Sequence, residues 1–332
     1  KESRTTMRRL ILLIFLLIPA AASAASYSSI YVFGDSLSDP GNIPLASGYK
    51  FPPAPYSGTR FSNGPVAVQY LAPLLGLPVD NSRNYAQGGA TTGFVNVLNA
   101  NSGGLFPGST LTGVRGQVND YLDRTSSADA NALYIVWAGP NDLMRGMENP
   151  ATFNPAATIG NALGNLSTAI TDLNNAGAQH FLVPNLPDLG KAPRFNGTSS
   201  QLGGSLLSGV FDQQLAAMLG QLQTDLQADI MSFNTFGLLN SVVAHPAKYG
   251  FGDVTRPCLA NLACILSPEI ADRYLFWDSI HPTTRGHELL ALAMASSIPT
   301  AVPLPSALVL LLSGVLTMVG FNRSGRKSCY MR

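Results

Sequence analysis

Five short segments along the middle of the chain have the character of strands, at 29–33, 84–86, 132–138, 180–184 and 229–233. The clearest of them, such as ALYIVWA and HFLVP, are nearly continuous apolar runs with β-branched and aromatic residues, the form taken by strands buried on both faces. Between and after them, apolar positions recur at helical spacing over 66–75, 113–123, 159–176, 206–226 and 283–298. Strands alternating with helices predict an α/β fold with a parallel sheet covered on both faces. Two stretches resist regular structure: 40–63, dense in Pro, Gly and Ser, and 93–112, dense in Gly and Asn. Loops this long inside a compact domain are usually functional or mobile. No repeat or linker divides residues 26–299, which are expected to form one domain. In open sheets of this kind ligands sit beyond the carboxyl ends of the strands, so chemistry is to be sought there.

The pattern changes at both ends. From Met7 the chain reads Arg8, Arg9, an apolar run over 10–18, then Pro19 and the small residues Ala22, Ser23 and Ala24. A basic start, a short apolar stretch and an A-x-A site predict a secretory signal within residues 1–25, with signal peptidase as its partner. At the other end, VPLPSALVLLLSGVLTMVGF is followed by Arg323, Arg326 and Lys327. A run of this length with a basic flank is long enough to cross a bilayer, so residues 300–332 are expected to form a tail with a transmembrane helix. Its V-P-L-P start, apolar span and basic finish resemble a PEP-CTERM sorting tail. That resemblance implies a membrane transpeptidase partner, membrane association before processing, and a place in the cell envelope or outside the cell.

Charge sharpens this once the ends are set aside. Of the 20 Lys and Arg, eight lie in the two terminal segments, with a single acid, Glu2; the body keeps 12 bases and 18 acids, a net of −6. A mildly acidic body with no basic stripe argues against a nucleic-acid partner. Of three cysteines, Cys258 and Cys264 stand close in one loop, and in an oxidising compartment they are expected to pair. No second pair of ligands stands near them for zinc. His281 and His287, six apart, point to different faces of a helix and do not suit a metal.

The candidate chemistry lies at the predicted strand ends. Ser36, in GDSLSD, directly follows the first strand. A glycine there lets the chain turn sharply, and a helix starting just beyond would aim N–H groups at an anion; a serine after a strand is equally a helix cap. A serine hydroxyl needs a base, and the base needs an acceptor that fixes its tautomer. Asp278 and His281, in FWDSIHPTT, can supply that pair from one turn. His287 is the competing base, although its place inside a helical run favours packing or solvent. Acyl transfer also needs donors for an oxyanion. Asn141 in AGPND and Gly89 in NYAQGGAT each follow a predicted strand; each is also ordinary turn chemistry.

These blocks resemble the GDSL or SGNH hydrolases, in which GDSLSD, NYAQGGAT, GPND and DSIHP appear in this order. RFSNGPVAVQYLA, KYGF and YLFWDSIHPT also match the lipase branch, and the resemblance runs from Ser29 to about Ile298. It implies a three-layer α/β/α sandwich with a flavodoxin-like, five-stranded parallel sheet. It assigns Ser36 as nucleophile and first oxyanion donor, Gly89 and Asn141 as further donors, His281 as general base and Asp278 as its orienting partner. Gly89 is preferred to Gly88 by counting from Asn84. The mechanism implied needs no metal or organic cofactor. The chain has no G-x-S-x-G elbow. The expected function is an exported serine esterase or lipase acting on lipid or simple acyl esters. The alternatives are a carbohydrate O-acetylesterase acting on exopolysaccharide and a non-catalytic surface or matrix protein on the same fold.

Overall fold

In the computed structural model, residues 27–43, 51–100, 111–148 and 150–299 are described. The expected leader at 1–25 and tail at 300–332 lie outside them. Four parallel strands form the central sheet: β1 (Ile30–Gly34), β2 (Leu133–Trp137), β3 (His180–Pro184) and β4 (Asp229–Phe233), in the order β1-β2-β3-β4. Register runs from Ile30 opposite Leu133 to Gly34 opposite Trp137, and from His180 opposite Asp229 to Pro184 opposite Phe233. The carboxyl ends of β1 and β2 are thus level, which sets the residues that follow them side by side.

Alternation along the strands divides the core in two. Phe33, Tyr134, Val136, Phe181 and Val183 face one layer of helices, α2 (Val114–Arg124), α4 (Pro155–Asn175) and α5 (Gln201–Leu226). Val32, Leu133, Ile135, Trp137 and Leu182 face the other, α1 (Ala67–Leu74) and α7 (Thr284–Ser297). Every residue of β2 is buried, so β2 has no wet face; this is why it reads as a continuous apolar run. Burying each such Leu, Ile or Phe contributes roughly 1.5–3 kcal/mol, and a charge at Ile135 would break both the sheet and the layer beneath it. The helix ends follow their local chemistry. Asn154 caps α4 by accepting from the Ala157 N–H, with Pro155 in the first turn, and Thr283 caps α7 through Gly286 N–H.

The strand expected at 84–86 does not form as a full strand. The Tyr85 N–H donates to Val32 O at 2.8 Å and the Gln87 N–H to Gly34 O at 3.0 Å, leaving one parallel bridge between Val32 and Asn84. The segment curls because Asn84 Oδ1 accepts from the Ala86 N–H while its amide donates to Ser38 O. Its place beside β1 nevertheless gives the strand order of a flavodoxin-like sheet, with one partner reduced to a bridge. The helix expected directly after Ser36 is also absent: residues 36–38 form a turn. Helices not read from the sequence include α3 (Pro140–Met147) and α6 (Thr235–Ala244), and a two-stranded sheet of β5 (Asp253–Pro257) and β6 (Tyr274–Phe276) is also present. Among the described residues, no helix is long and apolar enough to cross a membrane.

Candidate active site

Ser36 lies two residues beyond β1, in a turn held from several sides. The Asp35 carboxylate accepts from the Leu37 N–H at 3.0 Å, and the Ser38 N–H closes the turn on Asp35 O. Gln117 on α2 grips Gly34 with both ends of its amide, accepting from the Gly34 N–H at 2.8 Å and donating to its carbonyl at 2.9 Å. Asp39 ties this turn to the next loop by accepting from the N–H groups of Gly41, Asn42 and Gly88. Nothing in the sequence singled out Gln117 or Asp39, although an acid three residues after a candidate nucleophile is a signal that could have been read.

Burial dominates the carboxyl groups here. It pushes Asp35 up to about 7 and Asp39 to about 6, against the hydrogen bonds each accepts. Asp142 on α3, which accepts from the Thr92 N–H and hydroxyl, is likewise raised by burial to about 6.

Asp278 and His281 reach Ser36 from the turn between β6 and α7. Asp278 Oδ1 accepts from the N–H groups of Ile280 and His281, at 2.8 and 2.7 Å, which winds the turn around the carboxylate. Its Oδ2 lies 2.7 Å from His281 Nδ1, and His281 Nε2 lies 2.8 Å from Ser36 Oγ. A carboxylate facing Nδ1 sets the proton on that nitrogen, so Nε2 is left to accept from the serine hydroxyl. Burial opposes the charge on Asp278, but His281 and the hydrogen bonds outweigh it and hold the carboxyl below its ordinary range. The Phe61 ring, 5.0 Å from the imidazole, covers it.

Stitches from 60–65 fix this turn against the sheet. Ser62 Oγ donates to Pro282 O, the Thr284 N–H donates to Asn63 Oδ1, and Thr284 Oγ1 donates to Pro65 O. His287, the competing base, is fully buried on α7 and accepts the Ala67 N–H at its Nδ1. Burial first, and then His281, push its pKa down to about 3; it is a neutral packing residue away from Ser36.

The two glycines of the second block divide their work. The Gly88 N–H is committed to Asp39, and a side chain at Gly88 would strike the Phe61 ring at 2.0 Å. Gly89 has φ +77, a conformation that favours glycine, and a Cβ there would lie 2.8 Å from Asn96 Oδ1. Its N–H and that of Ser36 donate to no acceptor among the described residues. Asn141 opens α3, where its amide is oriented by donating to Ala90 O at 2.9 Å, which leaves its second N–H.

Two cavities flank Ser36. An inner one of about 80 Å³ runs between the carboxyl ends of β2 and β3, α6 and α7, lined by apolar groups that include Leu189, Leu239, Val242, Leu275 and Leu289. An outer one of about 200 Å³ is bounded by Gly89, Asn141, Phe61 and His281, with Arg145, Glu148 and Arg194 at its rim. Cys258 and Cys264 are joined by a disulfide beneath Trp277. Among the described residues no group of three or more His, Cys, Asp or Glu is arranged to hold a metal ion.

An uncharacterised Pseudomonas putida protein is 34% identical over 299 residues, covering 82% of this chain and 48% of its own. The esterase EstA of Pseudomonas aeruginosa is 31% identical over 315 residues, covering 81% and 46%. An Arabidopsis thaliana GDSL esterase/lipase is 28% identical over 331 residues, covering 80% and 84%. The chain spans about half the length of both Pseudomonas relatives. The profile of the GDSL-like lipase/acylhydrolases matches residues 30–294, from β1 into α7 and across every segment that meets at Ser36, and the chain belongs to that family.

Proposed function

We propose that the protein is an exported serine esterase that cleaves carboxylic esters with an apolar acyl chain. The observation that carries this reading is the unbroken line from Ser36 Oγ through the His281 ring to Asp278, 2.8 and 2.7 Å at its two links, beside the unengaged N–H groups of Ser36 and Gly89. Ser36 Oγ attacks the ester carbonyl as its proton passes to His281 Nε2. The N–H groups of Ser36 and Gly89 and the Asn141 amide stabilise the oxyanion. Collapse expels the alcohol, which takes the proton from His281. Water, deprotonated by the same nitrogen, then releases the acid and frees Ser36. Asp278 holds the ring in register and stabilises the imidazolium.

The inner cavity supports the acyl preference. At about 80 Å³ it is roughly half the size of the 150 Å³ cavity that admits a benzene ring, so it suits a slim aliphatic chain, and an acetyl group would leave much of its apolar lining uncovered. On p-nitrophenyl esters of increasing chain length, kcat/KM is expected to rise from acetate towards butyrate and hexanoate. Fastest turnover on acetate, with acetate release from acetylated polysaccharide, would move the reading to a carbohydrate O-acetylesterase.

Export is supported by the basic and apolar start at 8–24 and by the Cys258–Cys264 disulfide, which suits an oxidising compartment. Anchoring and later processing of the tail by a transpeptidase rest on the sequence of 300–332. Intact mass of the protein recovered from cells tests both ends: loss of residues up to about Ala24 is expected, and an uncleaved start would overturn the signal.

A further inference from the structure

Asp278 Oδ2 serves two donors. Besides His281 Nδ1, it accepts the phenolic hydroxyl of Tyr56 at 2.7 Å. Tyr56 comes from the Pro-rich loop before the RFSNG stretch, 222 residues from Asp278 in sequence. Its ring meets the Trp277 ring edge to face, with centroids 6.2 Å apart. Trp277 in turn packs on the Cys258–Cys264 disulfide, and its carbonyl accepts the Leu259 N–H at 2.9 Å. The phenol therefore has a fixed ring and a single polar target.

We infer that Tyr56 is a positioning residue for the esterase reaction, fixing the Asp278 carboxylate and setting how strongly it holds the His281 proton. The inference rests on the serine-esterase reading above. With Oδ1 held by the N–H groups of Ile280 and His281, an Oδ2 that accepted only from His281 Nδ1 would concentrate its charge on the imidazolium. A second donor on Oδ2 shares that charge and fixes where the oxygen sits relative to Nδ1. Burial, followed by the charge and hydrogen bond of Asp278, pushes the Tyr56 phenol above its ordinary range, so it is a donor at every working pH. Apart from Asp278, the titratable and charged groups facing His281 are Asp35 behind Ser36, His287 on α7, and Arg145, Glu148 and Arg194 around the outer cavity. None of these bonds to Asp278, so they form a constant background when only the Tyr56 hydroxyl is removed.

Tyr56→Phe keeps the ring on Trp277 and deletes the donor. Steady-state kinetics on one ester across pH 5–9, with Ser36→Ala in parallel, test the inference. Expected is a fall in kcat of about tenfold, from loss of one hydrogen bond to a charged group, with KM unchanged. The acid limb of the pH–rate profile should move to higher pH, because an unshared Asp278 charge stabilises the protonated imidazole more. Wild-type kcat with an unmoved profile would overturn the inference, as would a fall in kcat with the profile unmoved, which marks a structural role only. Persistent turnover in Ser36→Ala would instead overturn the esterase reading on which it rests.

Discussion

The turn that carries Ser36 and the turn that carries Asp278 and His281 meet across 2.8 Å, yet they are held in different ways. The first is fixed by buried hydrogen bonds drawn from two loops and one helix, through Asp35, Asp39, Gln117 and Asn84. All of these lie at or beside the carboxyl end of β1. The second is assembled from distant parts of the chain: Tyr56, Ser62 and Asn63 on one side, Leu259 and the disulfide loop on the other. A frame anchored in the sheet preorganises Ser36, the proposed nucleophile, and the N–H groups proposed as oxyanion donors. A turn stitched from outside holds the base, so its alignment depends on long-range contacts. Damage to the first should appear in transition-state stabilisation, and damage to the second in the protonation and alignment of the base.

The largest break falls on the base itself. His281→Ala should lower kcat by about 10⁴–10⁶-fold, and His287 cannot substitute because it is buried against Ala67 with a pKa near 3; an ester assay with a burst control measures this. On the nucleophile side, Asn141→Ala should lower kcat by about 10²–10³-fold with little change in KM, the mark of an interaction made in the transition state.

Asp39→Asn sharpens the comparison without touching a reacting group. Asp39 offers acceptors to three N–H groups, and an amide leaves one of them without a partner, a cost of about 1–3 kcal/mol. Because one of the three belongs to Gly88, kcat should fall by about tenfold together with the melting temperature. Replacing Cys258 and Cys264 with serine acts on the other turn. Opening so short a loop should cost about 2 kcal/mol in urea denaturation, with a smaller loss of kcat than in Asp39→Asn.

Stability should also depend on pH. Asp35, Asp39, Asp142 and Asp212 are all raised by burial, to between about 6 and 7. The folded state therefore binds more protons than the unfolded chain between about pH 4 and 7, and stability falls as pH rises through that window. Asp278, held low, acts oppositely: its contribution is present above the unfolded value and is lost as pH falls below about 4. The urea midpoint should be higher at pH 5 than at pH 8, and Asp35→Asn should flatten that slope.

The contrast between the two turns also explains what the sequence made legible. β2 and β3 were legible because strands buried on both faces are nearly continuous apolar runs, whereas β4 alternates, with Asp229 and Ser232 exposed and Ile230 and Phe233 buried. Ser36 and Asn141 were legible because they closely follow β1 and β2, and Gly89 through its place in NYAQGGAT, counted from Asn84. The segment at 84–87 was read as a strand, yet Asn84 turns its hydrogen bonds inward and leaves only a bridge. α3 was missed because Gly139, Pro140 and Asn141 read as a turn, although Pro in the first turn of a helix is favourable. β5 was missed because Asp253, Arg256 and Pro257 carry no apolar alternation, and β6 because its three residues are too short a run to read as a strand. Tyr56 could not be found at all: it sits in a loop without periodicity, and only tertiary structure brings it to Asp278.

The central claim is that the environment of Ser36 makes it a nucleophile. The most direct test is intact-mass and peptide mapping after treating the folded protein with a fluorophosphonate ester probe. One stoichiometric adduct on Ser36 is expected, abolished in Ser36→Ala and strongly slowed in His281→Ala. Folded protein that takes up no probe, or labelling that survives in Ser36→Ala, would contradict it.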